Sequence, residues 1–435
     1  MSAGDPDIVD IDGMDMKRIF AALVTVLLMA AYMPAYAQEL PPGAETDGAT
    51  FVPRYKNPTP GQMPILMGAA TGMGDNRLML TEEWYAWLED LGVNMISGLM
   101  GDMQTQMPRI FELSEQHNLK MLMRLVGSKS TEAVMQVVRQ WRDCRSLGGY
   151  MVYDEPVVPD FPELRKLRDA IFTMDTTRIV MVNLFPIVPA KVCKAASYQD
   201  YVERSIREIN TGLLSYDHYP VVEKDGVVSV KKDFYENLEI ISSQAGKAGW
   251  PFWAYSLVFG HYGYAPPVES DIRFEVFNAL AYGAQGIEYW TYGVRPGLDF
   301  KPTIAPIDTA GRRTRVWYDV QRVNREIQGL NPVFLGCEVV SKGHVGTVPQ
   351  GAEPLETMPG PLQSVKSGRQ GVLVSQIRNQ DRDYIVIVNH EPRQAQKVRL
   401  RFNGDVSQIY PDGRTETRRS GTFKLAPGGY LIFRY

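Results

Sequence analysis

The stretch Gly149-Tyr150-Met151-Val152-Tyr153-Asp154-Glu155-Pro156 decides the fold. A short apolar run is cut off by two acids and a proline, and residues 162–174 then carry apolar positions at helical spacing. A buried strand that hands over at once to an amphipathic helix is half of a parallel βαβ unit. Working outward, the same pattern recurs on both sides. Strand-like runs at 64–68, 93–99 and 119–126 precede it, each followed by a helical stretch, at 81–91, 107–116 and 130–144. Runs at 179–183, 213–216, 251–256 and 286–292 follow it, with helical stretches at 198–209, 234–248, 271–282 and 316–330. Thr81 ahead of Glu82 and Glu83 reads as a helix start, because a hydroxyl caps the free amides and acids suit the positive end.

Eight strand–helix units of this spacing predict an α/β fold, a closed (β/α)8 TIM barrel, whose usual span is about 250 residues. An open doubly wound sheet normally carries a Gly-rich phosphate turn after its first strand. Gly68-Ala69-Ala70-Thr71-Gly72-Met73-Gly74 has glycines but no phosphate-loop lysine, and reads instead as an active-site loop. Past Asn331-Pro332 the pattern changes to short strands split by turns such as Asp412-Gly413 and Pro427-Gly428-Gly429, which predicts a small all-β sandwich of roughly 100 residues.

At the N-terminus, Met16-Lys17-Arg18, an apolar run over 19–33 and Ala35-Tyr36-Ala37 compose a secretory signal peptide. The apolar run falls short of the ~20 residues of a membrane span, so no stable span is expected after cleavage. The expected organisation is upstream sequence at 1–15, signal peptide at 16–37, a Pro- and Gly-rich linker or lid at 38–62, barrel at 63–332 and sandwich at 333–435. Export to the periplasm or medium follows from that leader. A formal net charge of -4 gives no reason to expect nucleic acid as a partner. The 3 cysteines and 5 histidines match no metal spacing, so neither metal nor organic cofactor is expected, and the sequence leaves disulfide pairing and oligomeric state open.

Barrel chemistry sits at the C-terminal ends of the strands, which converts the strand list into a site list. The fourth strand ends in Asp154-Glu155, the sixth in Tyr216-Asp217-His218-Tyr219, and the eighth carries Glu288, Trp290 and Tyr292. The third offers Arg124, the fifth Asn183, and the seventh Trp253 and Tyr255. Glycoside hydrolysis requires two carboxyl functions, one of them a proton donor with a raised pKa. Glu155 is the first candidate for that donor, followed by Asp154, Asp217 and Glu288 as further catalytic candidates. Arg124, Asn183, Tyr216, His218, Trp253, Tyr255, Trp290 and Tyr292 are candidate contacts to a carbohydrate substrate. Each has a plainer reading. Glu155 before Pro156 can cap the next helix, Asp217 can bond its own turn, and Glu288 can pair with Arg124. His218 can be a satisfied rim histidine, and the aromatic residues can fill the core.

The 149–156 stretch resembles the fourth-strand motif of clan A glycoside hydrolases. Tyr216-Asp217-His218-Tyr219-Pro220 and the run from Ala281 to Tyr292 resemble secreted bacterial barrel hydrolases that carry a C-terminal β-sandwich. The resemblance implies a glycosidase with Glu155 as acid/base. Two departures stand out. Asp154 occupies the place of the clan's usual Asn, and the seventh strand, Trp253-Ala254-Tyr255-Ser256-Leu257, lacks the clan's nucleophilic Glu. The Asp-Glu doublet is similar to that of hexosaminidase-type barrels, where the Asp orients a substrate acetamide. Retaining chemistry, substrate-assisted chemistry, a second carboxyl from Asp217 or Glu288, and an inactive carbohydrate-binding barrel all stay open on the sequence.

Overall fold

The computed structural model describes residues 53–435 apart from 72–78, 99–102, 126–129, 262, 294–302 and 369. The signal peptide and most of the linker lie outside these residues, as does the Gly72-Met73-Gly74 half of the glycine-containing loop. Eight parallel strands build a barrel: β1 (Ile65–Thr71), β2 (Met95–Gly98), β3 (Lys120–Arg124), β4 (Leu147–Asp154), β5 (Ile179–Leu184), β6 (Leu214–Tyr216), β9 (Phe252–Leu257) and β10 (Ile287–Trp290). They close in the order β1-β10-β9-β6-β5-β4-β3-β2. β1 runs on through Ala69 to Thr71, residues that the sequence assigned to a loop. An antiparallel hairpin, β7 (Val221–Lys224) and β8 (Val227–Val230), is inserted after β6 and turns at Asp225-Gly226 with both residues at positive φ.

The helices between the barrel strands are α1 (Glu82–Leu91), α2 (Met103–Gln116), α3 (Thr131–Trp141), α4 (Phe161–Met174), α5 (Ala190–Cys193), α6 (Tyr198–Arg204), α7 (Phe234–Ala248), α8 (Glu269–Ala281), α9 (Arg315–Gly329) and α10 (Asn331–Phe334). Their starts are written in side chains. Thr81 accepts the Trp84 amide and Ser130 accepts the Ala133 amide, closing amides that the helix itself leaves free. None of the helices described is long and apolar enough to cross a membrane.

Alternation along each strand sorts side chains to the two faces of the barrel wall. Outward residues such as Val180, Val182, Leu214 and Tyr289 join the large core beneath the helices. Inward residues Leu66, Met95, Leu122, Met151, Ile179, Met181, Leu213 and Trp253 fill the barrel floor, with Tyr55 beneath them. Gly286 is required there, because a Cβ would stand 2.5 Å from the Trp253 ring. The floor is therefore a packed plug rather than a pore.

Beyond α10 the chain builds two sheets. The larger has six strands: β11 (Glu338–Val345), β13 (Val372–Asn379), β14 (Arg382–Asn389), β16 (Val406–Ile409), β17 (Thr415–Arg418) and β19 (Tyr430–Arg434), in the order β11-β13-β14-β19-β16-β17. The smaller has three: β12 (Leu362–Lys366), β15 (Gln396–Phe402) and β18 (Gly421–Leu425), in the order β12-β15-β18. Tyr384, Val386, Val388 and Ile432 pack with the barrel's core, while the alternating Ile385, Ile387, Leu431 and Phe433 pack with the small sheet. Both faces of the large sheet are covered, which explains why Tyr384-Ile385-Val386-Ile387-Val388 is apolar without interruption. The three cysteines, Cys144, Cys193 and Cys337, are free thiols.

Candidate active site

The end of β4 is where the backbone leaves ideal geometry. Its pairing with β5 shifts register between Met151 and Tyr153, which brings Asp154 opposite Asn183. Glu155 follows in the left-handed region with φ 53°, and its amide donates to the Asn183 carbonyl at 2.8 Å. A glutamate in this conformation is uncommon and is held by surrounding contacts. The bend answers the helix-cap alternative. The cap at Val157 is supplied by Asp160, whose carboxylate accepts the Val157 amide at 2.9 Å, and the Glu155 carboxyl has no hydrogen-bond partner among the described residues.

A chain of polar side chains crosses the mouth beside it. Arg124 donates to Asp154 Oδ2 at 3.0 Å. The Asn183 amide donates one N–H to Asp154 Oδ1 and the other to Asp217 Oδ1, each at 3.0 Å. Asn183 Oδ1 faces the Ser215 hydroxyl at 3.0 Å, and Ser215 lies 2.7 Å from Glu288 Oε1. The Ser215 hydroxyl is within donating distance of both Asn183 Oδ1 and Glu288 Oε1, and its single proton serves one of them at a time. Full burial raises the Glu288 pKa to about 8, against the Ser215 and Tyr255 hydroxyls that donate to its charged form, so near neutral pH this carboxyl keeps its proton. Arg124 is thus the partner of Asp154, not of Glu288, which corrects the pairing read from the sequence.

The three acids at the mouth divide by environment. Burial, with the Asp154 charge added, raises Glu155 to about 8. Burial also raises Asp217 well above the usual range, with the Glu155 and Asp154 charges adding to it and the Asn183 amide opposing. Two acids that repel each other hold one proton between them. Hydrogen bonds to the charged form bias where it sits. Asp217 receives the Asn183 N–H and Glu155 receives none, which favours the charged form at Asp217 over that at Glu155, while burial pushes both carboxyls toward the neutral form.

The aromatic candidates separate by parity and by depth. Tyr255 is buried at the base of the mouth and feels the charges of Glu288, Asp154, Arg124 and Asp217. Trp290 is half-buried at the rim with Tyr219 and Tyr264, over Leu257, Phe259 and Ala305. Gly68 makes space for it, since a Cβ there would lie 3.3 Å from the Trp290 ring and 2.7 Å from the Tyr289 carbonyl. Four others are corrected. Trp253 points inward but lies in the floor plug, fully buried. Tyr216 points outward and packs near Phe252, with ring centroids 6.5 Å apart. His218 is buried against Phe234, with Nε2 3.0 Å from Asp233, and burial lowers its pKa against the raising effect of Asp233. Tyr292 lies edge-on to Trp84 at 5.0 Å, under the helices. One buried acid escaped sequence reading. Glu275 on α8 accepts the Ser256 hydroxyl and the Leu257 amide, both at 2.8 Å, from behind β9, and burial raises it to about 8.

No family model matches the sequence, and no curated protein matches it. Solved structures do match. A catalytic mutant of Gan42B, a GH42 beta-galactosidase from G. stearothermophilus, superposes with TM-score 0.60 at 9% identity, covering 88% of this chain and 99% of the other. The beta-galactosidase from Bacillus circulans sp. alkalophilus gives 0.58 at 9% identity, covering 86% and 99%. AmyP in complex with maltose gives 0.51 at 10% identity, covering 86% and 96%. At these identities the likeness is one of fold: the chain shares the (β/α)8-barrel architecture of these proteins.

Proposed function

We propose that the protein is an exported glycoside hydrolase acting on oligo- or polysaccharides, with Glu155 as proton donor and Asp217 as the second carboxyl group. The observation that carries this reading is the arrangement of Glu155 and Asp217 at the ends of β4 and β6, on either side of β5, one without a hydrogen-bond donor and one with it. Glu155 gives its proton to the glycosidic oxygen as the C–O bond breaks and the alcohol leaves. The Asp217 carboxylate either bonds to the anomeric carbon or takes a proton from an attacking water; Glu155, now ionised, accepts a proton from water in the first case. Asp154 is tied to Arg124 and Asn183 through both oxygens, so its part is a fixed charge that keeps Glu155 protonated. That engagement disfavours the substrate-assisted reading, in which Asp154 would orient an acetamide.

A second reading has its own observation. β9 presents Trp253, Tyr255 and Leu257 inward and no acid, as a carbohydrate-binding barrel without turnover would. A panel of chromogenic glycosides and polysaccharides with wild type and Glu155→Gln separates the two. Hydrolysis by wild type that falls at least about a hundredfold in the variant, with sugar binding kept, supports the enzyme. Binding without hydrolysis in either protein establishes the second reading, and an equally active variant removes Glu155 from the chemistry.

A further inference from the structure

The outer face of the small sheet carries a charge pattern that folding does not need. β12, β15 and β18 contain Lys366, Lys397, Arg399, Arg401 and Lys424 and not one acid. All five side chains are exposed, on the face opposite the inward Val365, Val398, Leu400 and Leu425. None of the five takes part in an ion pair among the described residues, although the chain as a whole carries a formal net charge of -4. The register places like charges directly across from each other, Lys366 opposite Arg399 and Lys397 opposite Lys424. Such cross-strand pairs oppose pairing of the strands. Charges that merely guard against edge-to-edge association belong on edge strands, yet Lys397, Arg399 and Arg401 stand on the central one. Alternate residues of one strand repeat every ~7 Å, so these three form a straight row of cations.

A cleft of about 510 Å3 opens beside this face, lined by residues that include Thr417, Arg418, Ser420, Thr422 and Lys424. It lies between β17 and β18, an edge strand of the large sheet and one of the small sheet. Lys424 and Thr422 border both the cleft and the basic face, which joins cations to hydroxyl donors along one path.

We propose that this face and cleft bind an extended anionic polysaccharide, one bearing a carboxylate or sulfate on successive sugars. A regular row of fixed cations complements a linear polyanion. The outer face of the three strands carries no aromatic side chain for base stacking and no large apolar side chain for a bilayer, and Phe423, which lines the cleft, packs on the inner core, which argues against single-stranded nucleic acid and membrane as occupants. The choice of a glycan rests on the reading of the barrel mouth as a sugar site; the affinity for a polyanion does not.

Affinity electrophoresis of the full chain in gels containing polygalacturonate, heparin or neutral dextran tests it, with a single-stranded oligonucleotide and phosphatidylglycerol vesicles as competitors. The result expected is retardation by the two acidic polymers and not by dextran. It weakens at least about tenfold in the triple variant K397Q/R399Q/R401Q and fades with added salt. The variant's melting temperature stays at or above wild type, because the repelling charges are gone. Glu155→Gln is retarded like wild type, so a failed catalytic assignment is distinguishable from a failed surface. Absence of retardation, equal retardation of the triple variant, or displacement by oligonucleotide or vesicles at lower charge concentration than by polygalacturonate overturns the proposal.

Discussion

The neutral acid at Glu288 shows how much one proton assignment controls. Its carboxyl, Ser215 and Asn183 form a chain whose far end holds Asp154 and Asp217 in place. A folded-state pKa of about 8, against about 4.5 unfolded, means that the folded protein binds more protons between those limits. Stability therefore falls as pH rises from about 4.5 to 8. Glu288→Gln keeps a donor toward Ser215 and removes the titration. Its melting temperature should match wild type at pH 4 and exceed it at pH 8; a variant less stable by the same amount at every pH would show Glu288 ionised. The same sign governs activity. With Glu155 near 8, the rate should decline above about pH 8 as the donor loses its proton, and a profile still rising through pH 9 would remove Glu155 as the acid. The strand-end places of Glu155 and Asp217 were legible in the sequence because the barrel rule names the position. The ring of contacts through Ser215 was not, since a small buried hydroxyl carries no sequence signal.

Along a single strand, parity and depth explain what the sequence reading sorted wrongly. Asp217 faces inward and Tyr216 and His218 outward, as an alternation of two demands, so the sequence already held the information that separates them. Depth is harder to read. Trp253, Tyr255 and Leu257 all point inward on β9, but only the last two rise above the floor. Trp290→Ala should weaken sugar binding by about 1–3 kcal/mol with little change in melting. Trp253→Ala should instead cost about 3–5 kcal/mol of stability through the cavity it leaves. Denaturant titration beside ligand titration checks both, and exchanged outcomes would reverse the two placements. Tyr292 defied parity because the chain departs from the ladder after Trp290, the last residue of β10. The β7–β8 hairpin was not among the elements read from the sequence, although its Asp225-Gly226 turn is a strong short hairpin signal.

At the scale of the whole molecule, the barrel and the sandwich share one core and a set of polar ties. Phe277 stacks on Tyr430 with centroids 3.8 Å apart, and the Tyr430 hydroxyl donates to Glu326 at 2.9 Å. Arg393 forks onto Asp271 at 3.0 and 2.6 Å, and that aspartate is buried while also accepting the Val268 amide at the start of α8. Arg393→Ala should cost about 1–3 kcal/mol and leave a single unfolding transition, measured by calorimetry. Two separate transitions would mean that the barrel and the sandwich unfold apart. The order of the units was legible because each strand–helix pair writes its own period. The covering of the large sheet on both sides was legible only as an unbroken apolar run.

The plug of Trp253 over Tyr55 has a consequence for traffic. A vessel sealed at its base has one doorway, so under the proposed hydrolase reading incoming sugar, departing alcohol and the finishing water would take turns through it. On that reading the freed alcohol would have to clear the rim beside Trp290 before a water molecule could reach the carbon it left. The rim, rather than the plug, would then set how large a leaving group is tolerated.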